Sequence, residues 1–496
     1  NYSKEMLSLY FQNEDPEFDL LFDSQEEAQA YVDRYKQSVL ADGSKVVAER
    51  VNFAPQPQSS MSVIDQHTGY VKAIVGGRGE KTASLTLNRA TDTTRQPGST
   101  FKVVSTYAPA LNEKGMTLAT TFEDEPYNYP DGSPVENASR TYGGTTTIRR
   151  AIQNSINVVA VKCLEEVTPE LGLQYLDNFG FTTLAHGTEA DTDANGTVWT
   201  DANLPLALGG LTHGVTNVEL CAAYAAIANQ GNYIEPLYYT KILDHNGNVL
   251  IEKTSAERSV IKESTAWLLT SAMEDVVKSG TGTACQLDNM TVAGKTGTTD
   301  DYNDLWFVGY TPYYTCAVWS GFDNNEKLPD DYSRDFHKDM WRKVMTRIHE
   351  GLEDKDFEMP STVEKISVCA DTGLLPRSGC SVITEFFDVG DVPTDYCEEH
   401  FYEPEPVIPE YTYDETIIPE PSLTPENPDE NGDQGDGNTD NGDAGGEGNG
   451  GDDTGSGDTG GGDTGDGDTG GGDVGGGDTD GGDTGGGDAG GGEIIE

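Results

Sequence analysis

The chain has 496 residues, with 31 Lys and Arg against 86 Asp and Glu, for a formal net charge of −55. That balance excludes nucleic acid as a main partner, because phosphate contacts need cations. No stretch of about 18 apolar residues is present to span a membrane. The charge is unevenly spread: residues 401–496 hold 27 of the acidic residues and no Lys or Arg, and 30 of the 59 glycines lie in 426–496. The composition therefore describes a folded body and an acidic tail, in a length that allows two or three domains. Residue 1 is Asn and no signal peptide is visible, so the chain reads as a fragment or a processed product.

In chain order, Ser24 to Leu40 has Ala28, Tyr31, Val32, Tyr35 and Val39 at helix spacing, with Ser24 as N-cap and Glu27 three residues on. Val51 to Ser60 is a Pro- and Gln-rich connector. Met61–Asp65 and Tyr70–Val75 form a hairpin about the turn Gln66–Gly69. Helices are expected over Thr100–Leu111, Thr147–Val167, Val218–Ala228 and Ser264–Val277. Strands follow at Met290–Ala293, Leu305–Tyr310 and Thr315–Phe322, then an amphipathic helix at Asp339–Leu352. Strands at both ends with helices between predict an α+β domain whose first and last strands share one antiparallel sheet. Ser361–Cys397 is a small module with short strands.

From Glu403 the composition turns to Pro, Glu and Tyr, then to Gly and Asp. Asp recurs every five residues from Asp458 through Asp463, Asp468, Asp473, Asp478 and Asp483 to Asp488. Calcium-binding β-rolls repeat at roughly nine residues with an apolar position in each unit, which this repeat lacks. With almost nothing to bury, the tail is expected to stay extended and disordered. The seven cysteines form no C-x-x-C, and no His stands at zinc-finger spacing, so no metal is expected. Cys163, Cys221, Cys285 and Cys316 read as buried small hydrophobes. Cys369, Cys380 and Cys397 lie close together in a loop-rich segment, where a Cys369–Cys380 disulfide is one expectation for an oxidising compartment.

H-E-x-x-H, G-x-S-x-G and a P-loop are absent. A Ser-Lys set is present instead: Ser99-Thr-Phe-Lys102, Ser155-Ile-Asn157 and Lys295-Thr296-Gly297-Thr298. A second S-x-x-K at Ser259–Lys262 has no partner motifs and reads as coincidence. Pro97-Gly98 leads into a helix, so Ser99 falls in its first turn and Lys102 is on the same side. Serine needs a base to take its proton, and lysine serves only when neutral. Desolvation and a neighbouring cation, here Lys295, lower a lysine pKa. Ser155 can then relay a proton and Asn157 can hold a substrate amide. Gly297 on an edge strand allows a substrate backbone to approach. Thr296 and Thr298 offer hydroxyls to a carboxylate, and the N–H groups of Ser99 and Thr298 suit an oxyanion hole.

On these residues the chain resembles the transpeptidase part of class A penicillin-binding proteins. Arg95-Gln-Pro-Gly-Ser-Thr-Phe-Lys102 is similar to that family's nucleophile motif. Ala293–Thr299 followed by Leu305–Pro312 is similar to its third motif and next strand. Leu208–Thr216 and Thr384–Pro393 resemble further family segments. The resemblance covers roughly residues 50–400. It implies a penicillin-recognising serine transpeptidase (β-lactamase-like) fold, an antiparallel sheet flanked by helices. It also implies D,D-transpeptidation of peptidoglycan stem peptides through an acyl-enzyme on Ser99, with release of D-Ala, no cofactor, and covalent inhibition by β-lactams.

The expected organisation is a linker (1–50) after a missing glycosyltransferase domain, a transpeptidase domain (51–355), a small C-terminal module (356–402) and the tail (403–496). Expected partners are stem peptides ending in D-Ala-D-Ala, β-lactams and cell-wall synthesis proteins. The expected location is the extracytoplasmic face of a bacterial membrane, reached through an N-terminal anchor outside this chain. The alternatives on the same fold are a D,D-carboxypeptidase or a β-lactamase, and on other grounds a non-catalytic β-lactam sensor or surface interaction protein. No E-x-x-L-N loop lies between Asn157 and Lys295, which favours slow deacylation.

Overall fold

The computed structural model describes residues 2–81, 84–299 and 302–400, with the short strand Ile494–Ile495. The acidic tail, expected to be disordered, otherwise lies outside the described residues. Among the described residues no helix is long and apolar enough to cross a membrane.

Residues 2–40 form two helices, α1 (Lys4–Gln12) and α2 (Gln25–Val39). Ser24 caps α2 by accepting the Glu27 N–H, as its sequence predicts. The pair closes on its own small core of Leu7, Phe11, Val32 and Tyr35.

The main body is built on a five-stranded antiparallel sheet. Its strands are β1 (Gln58–Asp65), β2 (Tyr70–Val75), β3 (Ala293–Thr298), β4 (Asp304–Tyr310) and β5 (Thr315–Gly321), in the spatial order β3-β4-β5-β1-β2. The first and last strands of the domain thus share one sheet, with β3 at a free edge. β4 and β5 are buried along their whole length. Alternate side chains serve different layers, because a strand turns successive residues to opposite faces. Phe307, Val318, Cys316 and Val63 join Trp341 and Met345 of α9 (Phe336–Ile348). Trp306, Val308, Ala317, Trp319 and Ile64 join the large core on the other face.

That core contains α3 (Ala108–Glu113), α4 (Ile148–Asn154), α5 (Asn157–Val167), α6 (Pro169–Asn178), α7 (Asn217–Ala228) and α8 (Glu263–Ser279). The Ala-rich α7 is buried on nearly every side, which its small side chains permit. Thr216 and Glu219 close a capping box at its start.

Several expected boundaries shift. β1 begins at Gln58, inside the expected connector. The strand expected at Met290–Ala293 runs instead from Ala293 to Thr298. The helix expected over Thr100–Leu111 is a 3-10 turn at Gly98–Thr100, a wide π turn at Lys102–Tyr107, and only then α3. The helix expected over Thr147–Val167 is broken in two. Ser155 adopts a left-handed conformation (φ 57°, ψ 42°) and Ile156 is extended, so α4 ends and α5 starts afresh. The apolar period runs straight through this break, which is why periodicity alone misses it.

The C-terminal hairpin, β6 (Val363–Cys369) with β7 (Val382–Asp388), docks beside α8. Trp267 of α8 meets Phe386 edge-on at 4.7 Å. Arg149 at the start of α4 bonds both oxygens of Glu385 (2.6 and 2.7 Å) and Asp275 of α8 (2.7 Å). Glu385 is 2% exposed. Arg149→Ala leaves that carboxylate buried without a cation and is expected to lower unfolding free energy by about 3–5 kcal/mol. Denaturant titration checks this; a loss below 1 kcal/mol, roughly the worth of an exposed pair, refutes it.

Candidate active site

The site assembles where three segments meet. The first is the turn Arg95–Ser99. Arg95 exchanges backbone hydrogen bonds with Val215 (2.9 Å each way). The Gln96 side chain clamps Leu211 from both sides, donating to its carbonyl (2.6 Å) and accepting its N–H (2.9 Å). The Trp306 indole donates to the Gln96 carbonyl (2.9 Å), and the Tyr224 hydroxyl to the Thr100 carbonyl (2.7 Å). The segment Leu208–Thr216 therefore braces the Ser99 turn from behind.

Gly98 has φ +55°, and a Cβ there would lie 2.9 Å from the Thr298 carbonyl oxygen. A Cβ on Gly297 would lie 2.6 Å from the Pro97 carbonyl oxygen and 2.8 Å from Thr100 Cγ2. Gly297 was expected to admit a substrate backbone; the space beside its Cα is filled by the chain's own turn at Pro97–Thr100. Ser99 follows half-buried, in a first helical turn whose N–H groups have no intrahelical acceptor. Its hydroxyl makes no hydrogen bond among the described residues.

The second segment is the α4–α5 break, which turns the Ser155 hydroxyl between two lysines. Lys102 Nζ lies 3.3 Å from Ser155 Oγ and donates to the Ser155 carbonyl (2.7 Å) and Asn157 Oδ1 (2.5 Å). Lys295 Nζ donates to Ser155 Oγ (2.7 Å) and the Thr296 carbonyl (3.1 Å). Both lysines are fully buried. Burial first, and Lys295 second, hold the Lys102 amine well below the usual lysine range. Burial also lowers Lys295 to about 7. A neutral Lys102 spends its two hydrogens on the Ser155 and Asn157 carbonyl oxygens, leaving its lone pair available as a base.

Asn157 was expected to hold a substrate amide. Here its Oδ1 accepts from Lys102 and its Nδ2 donates to the Glu136 carbonyl (2.6 Å), so both ends are engaged within the protein. Sequence reasoning missed Asn137. Its Oδ1 accepts the N–H groups of Asn157 and Val158 (2.9 and 3.2 Å), capping α5 from 20 residues away, because Ile156 cannot. Asp124 in turn holds the Asn137 amide (2.7 Å). No local sequence signal marks a cap supplied from a distant loop.

The third segment is the edge strand β3. Thr298 stands opposite Leu305, and the Thr299 N–H donates to the Asp304 carbonyl (3.2 Å). Antiparallel alternation then turns the N–H groups of Thr296 and Thr298 off the free edge. Thr298 is exposed, whereas the Thr296 hydroxyl pairs with Thr281 (2.7 Å). Lys102, Ser155, Asn157 and Lys295 thus share one hydrogen-bonded cluster. Ser99 follows Gly98, whose backbone lies against that of Thr298.

Residues 60–346 match the penicillin binding protein transpeptidase domain, and residues 359–402 match the penicillin-binding protein 1A C-terminal domain. The chain belongs to the penicillin-binding protein transpeptidase family. Relatives include penicillin-binding protein 1A of Clostridium botulinum, 34% identical over 73% of this chain and 44% of the relative. Penicillin-binding protein 1A/1B of Bacillus subtilis is 30% identical over 70% and 38% respectively. The chain thus spans under half the length of these relatives. Penicillin-binding protein 1A from Haemophilus influenzae shares the fold at a TM-score of 0.58, with 23% identity over 69% of this chain and 55% of that one. PonA1 from Mycobacterium tuberculosis, in complex with penicillin V, gives 0.53 with 24% identity over 73% and 94%.

Within this transpeptidase domain the left-handed Ser155 is the local geometry most open to test. Glycine adopts φ +57° without penalty, whereas a β-branched residue does not. Ser155→Gly and Ser155→Val both lose the hydroxyl, so their difference isolates the backbone. Ser155→Val should be about 1–2 kcal/mol less stable than Ser155→Gly. Thermal unfolding of both variants checks the order, and equal stabilities refute the strained joint.

Proposed function

We propose that this chain is the transpeptidase part of a peptidoglycan synthase, acting through an acyl-enzyme on Ser99. The observation that carries the proposal is the pair of buried lysines converging on one serine hydroxyl beside a second serine in a helical first turn. Lys102, held neutral, takes the Ser99 proton as Ser99 Oγ attacks the carbonyl of the penultimate D-Ala of a stem peptide. The N–H groups of Ser99 and Thr298 are suited to receive the oxyanion. As the C–N bond breaks, the Ser155 hydroxyl passes a proton to the departing D-Ala amine. An amine from a neighbouring strand then displaces Ser99 from the ester, and the same groups run in reverse. Lys295, Thr296 and Thr298 at the free edge serve the terminal carboxylate. Asn157 positions Lys102.

The same attack opens the strained amide of a β-lactam. The amine it releases stays tethered to the acyl group, so a covalent adduct remains; the penicillin V complex of PonA1 supports this reading. The relatives extend well beyond the matched part, which leaves room for the glycosyltransferase domain and N-terminal membrane anchor that we propose for the native protein. That arrangement places the activity on the extracytoplasmic face of a bacterial membrane, among cell-wall synthesis proteins. In this reading the domain limits are 1–50, 51–355 and 356–402.

Intact-mass spectrometry after incubation with benzylpenicillin tests the proposal. One long-lived adduct on the Ser99 peptide is expected, and none on Ser99→Ala. Labelling that survives Ser99→Ala overturns the assignment, and rapid return to the free mass with hydrolysed drug makes the enzyme a β-lactamase. Lys102→Ala should slow acylation by at least roughly 10²-fold.

The pH profile has a definite sign. The active form of Lys102 is neutral, so acylation falls as pH drops through its pKa. Lys295 is the second cause of that low pKa. Removing this cation in Lys295→Ala lets the Lys102 pKa rise, and the acid limb of the acylation profile should move to higher pH. A limb that stays in place, or moves down, shows that another group titrates.

A further inference from the structure

The C-terminal module has little apolar surface to hold it together. Its own buried cluster consists of Val368 and Phe387 on Ala119 of the main body, with Ile366 and Val392 partly covered. So small a core is marginal without a staple. At one end of the hairpin four further side chains converge. Cys369 ends β6, Cys380 lies in the loop before β7, and Cys397 and His400 follow β7. Their Sγ and imidazole nitrogen atoms all lie within 4.8 Å of one another. Cys369 and Cys397 are fully buried.

We propose that Cys369, Cys380, Cys397 and His400 form a closed Cys3His structural zinc site. Tetrahedral Zn²⁺ with Zn–S of about 2.3 Å and Zn–N of about 2.1 Å sets S···N edges of about 3.6 Å. His400 Nδ1 lies 3.4 Å from Cys369 Sγ and 3.3 Å from Cys397 Sγ, close to that edge. The other imidazole nitrogen, Nε2, lies 3.4 Å from a carboxylate oxygen of Asp371. A carboxylate at that position is placed to hold the Nε2 proton on the outer side when Nδ1 binds the metal, as second-shell carboxylates do at metal-bound histidines.

The backbone folds tightly around the sulfurs. Gly373 and Leu374 close a turn on Cys369 (2.9 and 2.8 Å), Gly373 having φ +70°. The Arg377 N–H donates to Cys380 Sγ (3.3 Å), and the Cys397 N–H to the Leu375 carbonyl (2.8 Å).

A disulfide accounts for this geometry less well. All seven cysteines are unbridged, including the pair Cys369 and Cys380 expected to join. Any one bridge would leave a third thiol and an imidazole facing it without purpose. Four protein ligands also leave no open position, which makes the site structural rather than catalytic. The sequence carries part of the signal in Cys397-Glu-Glu-His400, a C-x-x-H pair overlooked in favour of C-x-x-C.

Zinc analysis of the full chain, purified under reducing conditions without chelator, tests the site. About one zinc per chain is expected, and under about 0.1 in Cys397→Ser and Cys380→Ser, while His400→Cys retains it as a four-cysteine site. The acidic tail offers many carboxylates for loose binding, so cobalt provides the second readout. Titrating the zinc-free parent chain with cobalt chloride should give thiolate-to-metal charge transfer and tetrahedral ligand-field bands that saturate at one equivalent. Benzylpenicillin labelling of Ser99 monitors folding of the main body in every variant. The proposal is overturned if the parent holds no more zinc than Cys397→Ser, if cobalt shows no thiolate charge transfer, or if the reduced preparation still carries a disulfide among these cysteines.

Discussion

Two lysine amines, taken out of solvent, share one serine hydroxyl. Lys102 and Lys295 are both fully buried, and Ser155 Oγ lies 3.3 and 2.7 Å from them. Two ammonium charges there would carry a desolvation penalty of several kcal/mol each and repel one another. The fold resolves the conflict by making one proton easy to lose. That loss is the property a lysine base needs, so the electrostatic strain and the chemistry are one feature. Ser155 must therefore be aimed, not merely present. Its left-handed backbone, the end of α4, the fresh start of α5 and the remote Asn137 cap are the means of aiming it.

The other half of the constraint is steric. Ser99 and the β3 edge can be neighbours only because backbones pass within contact distance of each other. Gly98 sits against Thr298, Gly297 against Pro97, and a Cβ on Gly209 would lie 2.5 Å from the Gly98 carbonyl oxygen. Three segments far apart in sequence meet at three glycines. The flanking polar clamps from Arg95, Gln96 and Trp306 then fix what the glycines allow. A side chain at Gly98 or Gly297 would pry the Ser99 turn from β3, and one at Gly209 would displace the Gly98 backbone.

Much of this was legible in the sequence wherever the signal is local. The Ser24 cap, the Tyr70 hairpin, the buried β4 and β5, and the three Ser-Lys segments follow from periodicity, turn residues and motif spacing. What escaped is what depends on tertiary contact. The α4–α5 break lies inside an unbroken apolar period, so nothing nearby announces that Ser155 turns left-handed. Asn157 looks free in sequence and is occupied in space, because its partners Lys102 and Glu136 come from other segments. The Cys369, Cys380, Cys397 and His400 cluster was legible only in part: the three cysteines stand in one short segment and read as a candidate disulfide, while the convergence of His400 on their sulfurs needs the folded loop.

The helix α4 connects these observations. It is seven residues long, with Arg149 in its first turn and Ser155 immediately after its end. Arg149 is gripped by Glu385 of the C-terminal hairpin and Asp275 of α8. Near the other end, Gln153 bonds Ser279 (2.8 Å), and its carbonyl accepts the Thr281 N–H (3.4 Å). Thr281 in turn bonds Thr296, next to Lys295. So short a helix has no stability of its own and takes its position from these grips. The C-terminal hairpin is therefore one of the walls that fix where Ser155 stands. Whatever keeps β6 and β7 paired, including the ligand set at their end, holds Glu385 in place against Arg149, and with it the helix that aims the hydroxyl between the two lysines.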